Sequence, residues 1–392
     1  IMHSCGMITR LLQPRISQQL QDGGKVVVIY GARQVGKTTL VQRILADLPY
    51  RTLAINADEL RYAEALSSRD LRRLRDLVAG YDLLFLDEAQ RIPEIGVNLK
   101  LLNDHLPGLR IIVTGSSALD LASSGQEPLT GRAWVHILYP IAMCELARQH
   151  NPFELDELLG ERLVLGSYPE IFTLQRTADR WEYLQNLATS YLFKDVLEIG
   201  GIRHSQKLRN LVRLLAFQIG REVSFSELGG QLQMSKDTVA TYIDLLEQSH
   251  VVFRLGGFSR NLRKEVTRQD KIYFWDLGVR NVVIGNLRPL AERNDVGALW
   301  ENFVIAERLK RLRYSQTPAN LYFWRTYTGA EIDIVEERGG ELHTYECKWN
   351  ASRGRMPASF IDAYPGASYA VISRQHYQEY LIGGMAEEID HG

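Results

Sequence analysis

The chain has little cysteine, no long apolar run and almost no net charge, and each shortage removes a class of protein. Its three cysteines, Cys5, Cys144 and Cys347, are odd in number and lack metal-knuckle spacing. They argue against a disulfide scaffold and a thiolate zinc site, and read as reduced thiols, so the expected compartment is cytoplasmic. No stretch approaches the ~18 apolar residues of a membrane span. The N-terminus shows no signal-peptide core, so no membrane partner is expected. Ile1 ahead of Met2 suggests a natural start at Met2 or later. Lysine and arginine total 46 against 47 aspartates and glutamates, a formal net charge of −1. No chain-wide basic field therefore announces nucleic acid, and contact with DNA would have to come from local patches. There is no internal repeat and no low-complexity segment. What remains is an ordinary soluble composition in 392 residues, enough for two or three domains with their own cores.

One stretch organises the chain: Gly31, Ala32, Arg33, Gln34, Val35, Gly36, Lys37 and Thr38, followed by Thr39. A short apolar run, 26–30, precedes it and a helical pattern, 39–45, follows. Strand, glycine-rich loop and helix form a phosphate cradle. The glycines let backbone N–H groups point at phosphate oxygens, Lys37 reaches the β- and γ-phosphates, and the Thr38 hydroxyl can ligate Mg²⁺. The helix adds its positive N-terminal end. The chain therefore predicts ATP and Mg²⁺ as ligands.

Residues 81–90 read Tyr-Asp-Leu-Leu-Phe-Leu-Asp-Glu-Ala-Gln. An apolar strand ending in two acids is what a nucleotide site needs opposite the loop: Asp87 for Mg²⁺, Glu88 to polarise the attacking water. The bland alternative is a buried strand whose acids cap the next turn. A further strand, 109–117, ends in Thr114, Gly115, Ser116 and Ser117. In a parallel sheet, ligands sit at the carboxyl ends of strands, so Thr114 or Ser116 would meet the γ-phosphate or its water. Residues 51–56 read as another strand, 58–78 as a charged helical stretch, and 133–138 as a last strand. Alternating strands and helices predict a three-layer α/β domain with a parallel sheet, closed at Tyr139-Pro140.

These motifs, with Leu129-Thr130-Gly131-Arg132, resemble the prokaryotic AAA-type P-loop ATPases of the archaeal-ATPase kind. The resemblance implies that Ser116 (or Thr114) is the first sensor. It also implies that Arg132 is the arginine for the γ-phosphate, acting across a subunit boundary if the protein is a homo-oligomer. A salt bridge within its own domain is the plain alternative for Arg132. Gly166-Ser167-Tyr168-Pro169-Glu170, Tyr191 to Val196 and Lys271 to Gly278 resemble further signatures of the same family. No second-sensor arginine can be placed.

Residues 141–203 read as a helical lid. In 204–269, a helix at 207–219, a short helix at 226–232, a helix at 236–249 capped by Ser235 and strand 251–255 form a winged helix-turn-helix pattern. Lys236, Thr238 and Thr241 would face a DNA groove, although Asp237, Asp244 and Glu247 on the same helix work against phosphate. The wing is more basic, with Arg254, Arg260, Arg263, Lys264 and Arg268. Such a module also serves for packing alone.

Residues 270–392 hold a helix at 298–312 and strands near 321–325, 331–337 and 341–349. Gly339-Gly340 is a two-residue hairpin turn. Counting back from Arg338 opposite Glu341 sets Asp333 opposite Glu346 and Glu331 opposite Lys348. One face then carries these four charges, and the other buries Ile332, Ile334, Tyr345 and Cys347. Asp333, Glu346 and Lys348 resemble the restriction-endonuclease-like nuclease core, which implies a fourth acid at Glu301 and a divalent ion on the carboxylates. A solvated, charged hairpin is the alternative. The expected architecture is thus a P-loop ATPase domain (1–140), a lid, a winged helix and an α/β nuclease-like domain. The expected function is ATP hydrolysis coupled to action on DNA. A nucleotide-gated DNA-binding regulator or a scaffold for a protein partner, with a dead nuclease-like domain, stands as the alternative.

Overall fold

The computed structural model describes residues 8–116, 129–192, 196, 205–260, 270–351 and 353–383. The chain forms two compact units. One is Thr9–Tyr139 with Gln248–His250; the other takes in Ile1–Ile8, Pro140–Glu247 and Val251–Gly392.

The first unit is built on a five-stranded sheet of order β2-β3-β4-β1-β5. The strands are β1 (Val26–Tyr30), β2 (Thr52–Asn56), β3 (Leu83–Asp87), β4 (Arg110–Gly115) and β5 (Ala133–Ile137). Every neighbouring pair is parallel. The apolar runs explain this, because a strand covered by helices on both faces cannot alternate polar and apolar side chains. All of β1 is buried, and Leu83, Leu84 and Leu86 are 0% exposed. Helix residues Leu66, Leu74, Leu99 and Leu102 pack on Val26, Val28, Ile111 and Val113. The charged stretch 58–78 is two helices, Leu60–Leu66 and Leu71–Leu77. The break has a local cause: the Asp70 side chain accepts from the backbone N–H of Arg72 (2.8 Å) and Arg73 (3.4 Å), which starts a new helix. Ahead of the sheet, helix Gln13–Asp22 buries Ile16 and Leu20. The buried Arg10 donates to Val35 O (2.7 Å) and Tyr139 O (2.6 Å), tying the phosphate-loop segment to the end of this unit.

In the second unit, helix Pro152–Leu165 starts with a reciprocal cap between Asn151 and Glu154. Two of the quoted signatures meet there. Asp276 accepts from Ser167 N (2.6 Å) and from Val279 N (3.0 Å), so it joins the Gly166 turn to helix Leu277–Val283. Burial raises the Asp276 pKa against the pull of those two N–H groups. Asn281 adds bonds to Leu163 O and Val164 O, both 2.9 Å. These residues hold the fold. Helices Ser205–Phe217, Phe225–Leu232 and Lys236–Gln248 follow. Ser224 and Ser235 cap the last two through Glu227 N (3.3 Å) and Thr238 N (3.0 Å). Strand β6 (Val252–Leu255) then pairs antiparallel with β7 (Lys271–Phe274). Residues 271–274 thus continue the hairpin begun at 252. Arg263, Lys264, Arg268 and the 193–195 part of the Tyr191 signature lie outside the described residues.

After helix Val296–Tyr314 comes a four-stranded sheet of order β11-β10-β9-β8. It contains β8 (Ala319–Arg325), β9 (Glu331–Arg338), β10 (Glu341–Cys347) and β11 (Ser368–Ile372). The turn at Gly339-Gly340 pairs Arg338 with Glu341, as counting gives, and the ladder runs in step to Ile334 opposite Tyr345. Beyond that point the counted register fails. Tyr322 faces Val335 and Trp324 faces Ile332, so two steps along β8 meet three along β9. The extra residue is a bulge, and it turns Ile332 onto the face of Val335. Trp324, Ile332, Val335, Leu342 and Phe360 share one core there. Tyr345, expected inside, is only half-buried.

Candidate nucleotide site

The strand order puts β4 between the phosphate-loop strand β1 and the acidic strand β3. The end of β4 is therefore the natural link between the two halves of the site. Gly31 leaves β1 where a side chain cannot follow, since a Cβ there would lie 2.2 Å from Leu138 O. Gly36 turns the loop into helix Lys37–Asp47 with φ 93° and ψ 28°, the left-handed region that favours glycine. Lys37 is buried, and its ammonium donates to Gly31 O (2.9 Å) and Ala32 O (3.1 Å) of its own loop. Ala32 and Val35 are buried beneath the loop, and Gln34 has φ 62°. Arg33 and Thr39 belong to the same segment, Arg33 in the loop and Thr39 in the first turn of the helix.

The Thr38 hydroxyl donates to Asp87 Oδ2 (2.8 Å), and the Thr114 hydroxyl donates to Asp87 Oδ1. Thr114 Oγ1 in turn accepts from Glu88 N (3.1 Å). Glu88 has φ 55° and ψ 44°, an uncommon backbone for a non-glycine residue. Its carboxylate accepts from Gln90 Nε2 at 2.6 Å, and the same amide nitrogen lies 3.1 Å from Ser116 Oγ. Thr38, Asp87, Thr114, Glu88, Gln90 and Ser116 thus form one connected chain of hydrogen bonds. An oxygen set of one hydroxyl and one carboxylate side by side suits Mg²⁺, which keeps waters and phosphate oxygens for its other positions.

Gln90 escaped the sequence reading as a participant, although it stands inside the quoted motif. Its position two residues after Glu88, on the one-turn helix Ala89–Arg91, lets it reach back. Arg132 does not join this network; its Nε donates to Asp104 Oδ1 at 2.7 Å, an ion pair at the surface of the same unit. That bond is the first cause of a raised Arg132 pKa and a lowered Asp104 pKa. Ser117 lies outside the described residues.

The second cluster is in the other unit. Glu301 and Glu331 meet at Lys271, the first residue of the Lys271–Gly278 segment, and Asp333 lies within the fields of Glu301 and Glu346. Lys271 Nζ lies 2.5 Å from Glu331 Oε1 and 3.2 Å from Glu301 Oε1. Burial opposes the Lys271 charge, but Glu301 and Glu331 outweigh it and its pKa is raised. Tyr273 OH donates to Glu301 Oε1 (2.5 Å). Asp333 sits in the bulge, and its Oδ2 accepts from Cys347 N (2.7 Å), taking the place of a ladder partner there. Burial, then the charges of Glu301 and Glu346, push the Asp333 pKa up to about 7. Lys348 pairs with Glu346 (2.6 Å) rather than with Glu331 across the hairpin. Among the described residues, no three His, Cys, Asp or Glu side chains are grouped so as to hold a metal ion. No helix there is long and apolar enough to cross a membrane.

Comparison with known proteins adds three family matches: an AAA domain at residues 23–147 and two domains of unknown function, DUF8612 at 156–289 and DUF4143 at 296–386. The uncharacterized protein Rv2008c of Mycobacterium tuberculosis is 30% identical over 354 residues, covering 88% of this chain and 75% of that protein. The uncharacterized protein MJ1637 of Methanocaldococcus jannaschii is 24% identical over 335 residues, covering 75% and 70%. Among solved structures, the Walker-type ATPase of Pyrococcus abyssi matches with a TM-score of 0.46 and 16% identity, over 69% of this chain and 94% of that one.

Proposed function

Since this chain belongs to the family of Rv2008c and carries an AAA domain, we propose that it binds ATP with Mg²⁺ and hydrolyses it. The observation that carries the reading is the hydrogen-bonded chain from Thr38 to Ser116. It gathers at one strand edge the groups that phosphoryl transfer requires. Lys37 and the N–H groups of 31–38 would hold the triphosphate. Thr38 and Asp87 would hold Mg²⁺, which supplies neutralisation of charge on the phosphate oxygens when bound. Glu88 takes the proton of the attacking water. Thr114 fixes the Glu88 backbone through its N–H, and Ser116 stands at the strand end as first sensor. Arg132 becomes available to a γ-phosphate, in its own subunit or a neighbour's, only by leaving Asp104.

Helix Lys236–Gln248 with the β6–β7 hairpin serves in this reading as a winged helix, and the last sheet as a restriction-endonuclease-like module. Contact with DNA is a second reading, favoured by the exposure of Lys236, Thr241 and Arg260. Arg254 binds Asp244 and, at 3.1 Å, Glu247, which cancels two of the three acids weighed against that helix. The same pairs remove Arg254 from the wing's phosphate-facing charge. Lys236, Thr241 and Arg260 stay exposed, with Thr238 half-buried. If DNA is not the partner, the module is a protein-binding scaffold switched by nucleotide.

The test is a pair of variants. Lys37→Ala should lose ATP binding. Glu88→Gln should keep binding and lose hydrolysis by a factor of ~10² to 10⁴, the usual contribution of a general base. Hydrolysis at the wild-type rate in Glu88→Gln refutes the assignment.

A further inference from the structure

We propose that Lys271 is the resident cation of the C-terminal acidic cluster. Its ammonium bridges Glu301 and Glu331, and the module as folded takes up no metal there.

A lysine that is 0% exposed is rare and costly unless its charge is matched. Here it is matched twice, by Glu331 at 2.5 Å and Glu301 at 3.2 Å, and Nζ lies 5.2 Å from the centre of the Phe323 ring. The backbone leaves little freedom to withdraw. Lys271 pairs with Leu255 on one side and forms a β-bridge with Glu222 on the other.

Other protein groups hold these carboxylates too. Glu301 Oε1 also receives the Tyr273 hydroxyl. Glu331 Oε2 lies 3.9 Å from Arg325 Nε. Asp333 receives the Cys347 N–H, and Glu346 receives Lys348. A divalent ion needs several carboxylate lone pairs turned toward one point. Each of these carboxylates has an oxygen on or near a protein donor, Lys271, Arg325 and Lys348 offset part of their charge, and among the described residues no three acids are grouped so as to hold an ion. The donor set therefore does not fit a metal while Lys271 is in place. The nuclease-like reading enters only in naming the acids that would be a metal's ligands.

The experiment uses the whole 392-residue chain with Asp87→Ala, which removes the other candidate cation position, and Mn²⁺ without nucleotide. Calorimetry and thermal unfolding are compared for Lys271 and for Lys271→Met, which keeps the unbranched apolar stem and removes the charge. The parent should show no saturable Mn²⁺ binding at millimolar ion. Lys271→Met should gain one saturable site, and its melting temperature should rise with Mn²⁺ while the parent's does not. Saturable binding in the parent that Asp333→Ala abolishes overturns the inference, because metal and lysine would then coexist. So does a Lys271→Met protein indifferent to Mn²⁺. If Lys271→Met does not fold, Lys271→Met with Glu331→Gln removes one charge of each sign. Its folding without metal supports the charge-matching role, and its failure overturns it. A Mn²⁺-loaded Lys271→Met protein that does not nick plasmid leaves the inference standing and refutes the nuclease-like reading.

Discussion

Replacing Gln90 by leucine tests how the proposed base is held. The change keeps the volume and removes the amide that donates to Glu88 at 2.6 Å and contacts Ser116 at 3.1 Å. A hydrogen bond to a charged acceptor contributes about 1.5–3 kcal/mol. If all of it is expressed in the transition state, hydrolysis falls about ten- to hundredfold, since about 1.36 kcal/mol is a factor of ten. The structure favours the lower half of that range. The Glu88 backbone keeps its anchor to Thr114, so only side-chain orientation is lost. ATP affinity should stay within about threefold, because Gln90 faces Glu88 and Ser116 and the triphosphate depends on Lys37 and the loop N–H groups. Single-turnover hydrolysis and equilibrium binding of a fluorescent ATP analogue separate the two effects. Ser116→Ala should give a smaller loss, and the double variant should fall short of the sum, as expected for residues sharing one network. Wild-type single-turnover rates in Gln90→Leu, or affinity falling in step with rate, would refute the role.

Three further outcomes are expected. Arg132→Ala should lower hydrolysis at least tenfold with ATP affinity unchanged, whereas Asp104→Ala, which frees the arginine, should not lower it; small and equal effects would confine Arg132 to its ion pair. In the DNA reading, Arg260→Ala with Arg263→Ala should weaken binding to all sequences and reduce the salt slope by about one to two, and unchanged affinity places the contact elsewhere. Burial and then Arg15 hold the His136 pKa down at about 4, against 6.5 for a free imidazole. The unfolded chain takes the proton first, so the stability is full above pH 6.5 and is lost as pH falls from 6.5 towards 4. At about 1.36 kcal/mol per pH unit that loss is at most about 3 kcal/mol. Urea unfolding at pH 7 and 4.5 should show a smaller drop for His136→Gln than for wild type, and an equal drop would exclude His136 as its source.

The first unit was legible where its signals are local. Strand, glycine loop and helix are contiguous in sequence, and so are Asp87 and Glu88. The strand order was not, because parallel strands pair across long crossovers and nothing near Ile111 says that β4 lies between β1 and β3. Thr114 was named as a candidate without its link to both Asp87 and Glu88, which follows only from that order. The hairpin count worked as far as the ladder is regular. It failed at Asp333 because the alternation through Ile332 and Ile334 hides an extra residue, and β8, which exposes the bulge, was not part of the count. Lys271 was missed for a related reason. It opens a segment quoted for its resemblance alone, and its partners Glu301 and Glu331 are supplied by a helix and a strand further along the chain.

Arg10 joins two distant carbonyls with one rigid plane. The donors of a guanidinium cannot be stretched apart, so Val35 O in the phosphate loop and Tyr139 O at the end of the first unit are held at a set spacing. A lysine, with a single nitrogen on a flexible stem, would keep the charge and lose the gauge. The loop therefore has no private conformation. A displacement of the Val35 carbonyl is a displacement at Tyr139, one peptide bond before Pro140, whose ring fixes its own φ and restricts Tyr139. One side chain thus sets the distance between the glycine-rich loop and the last residue of the first unit.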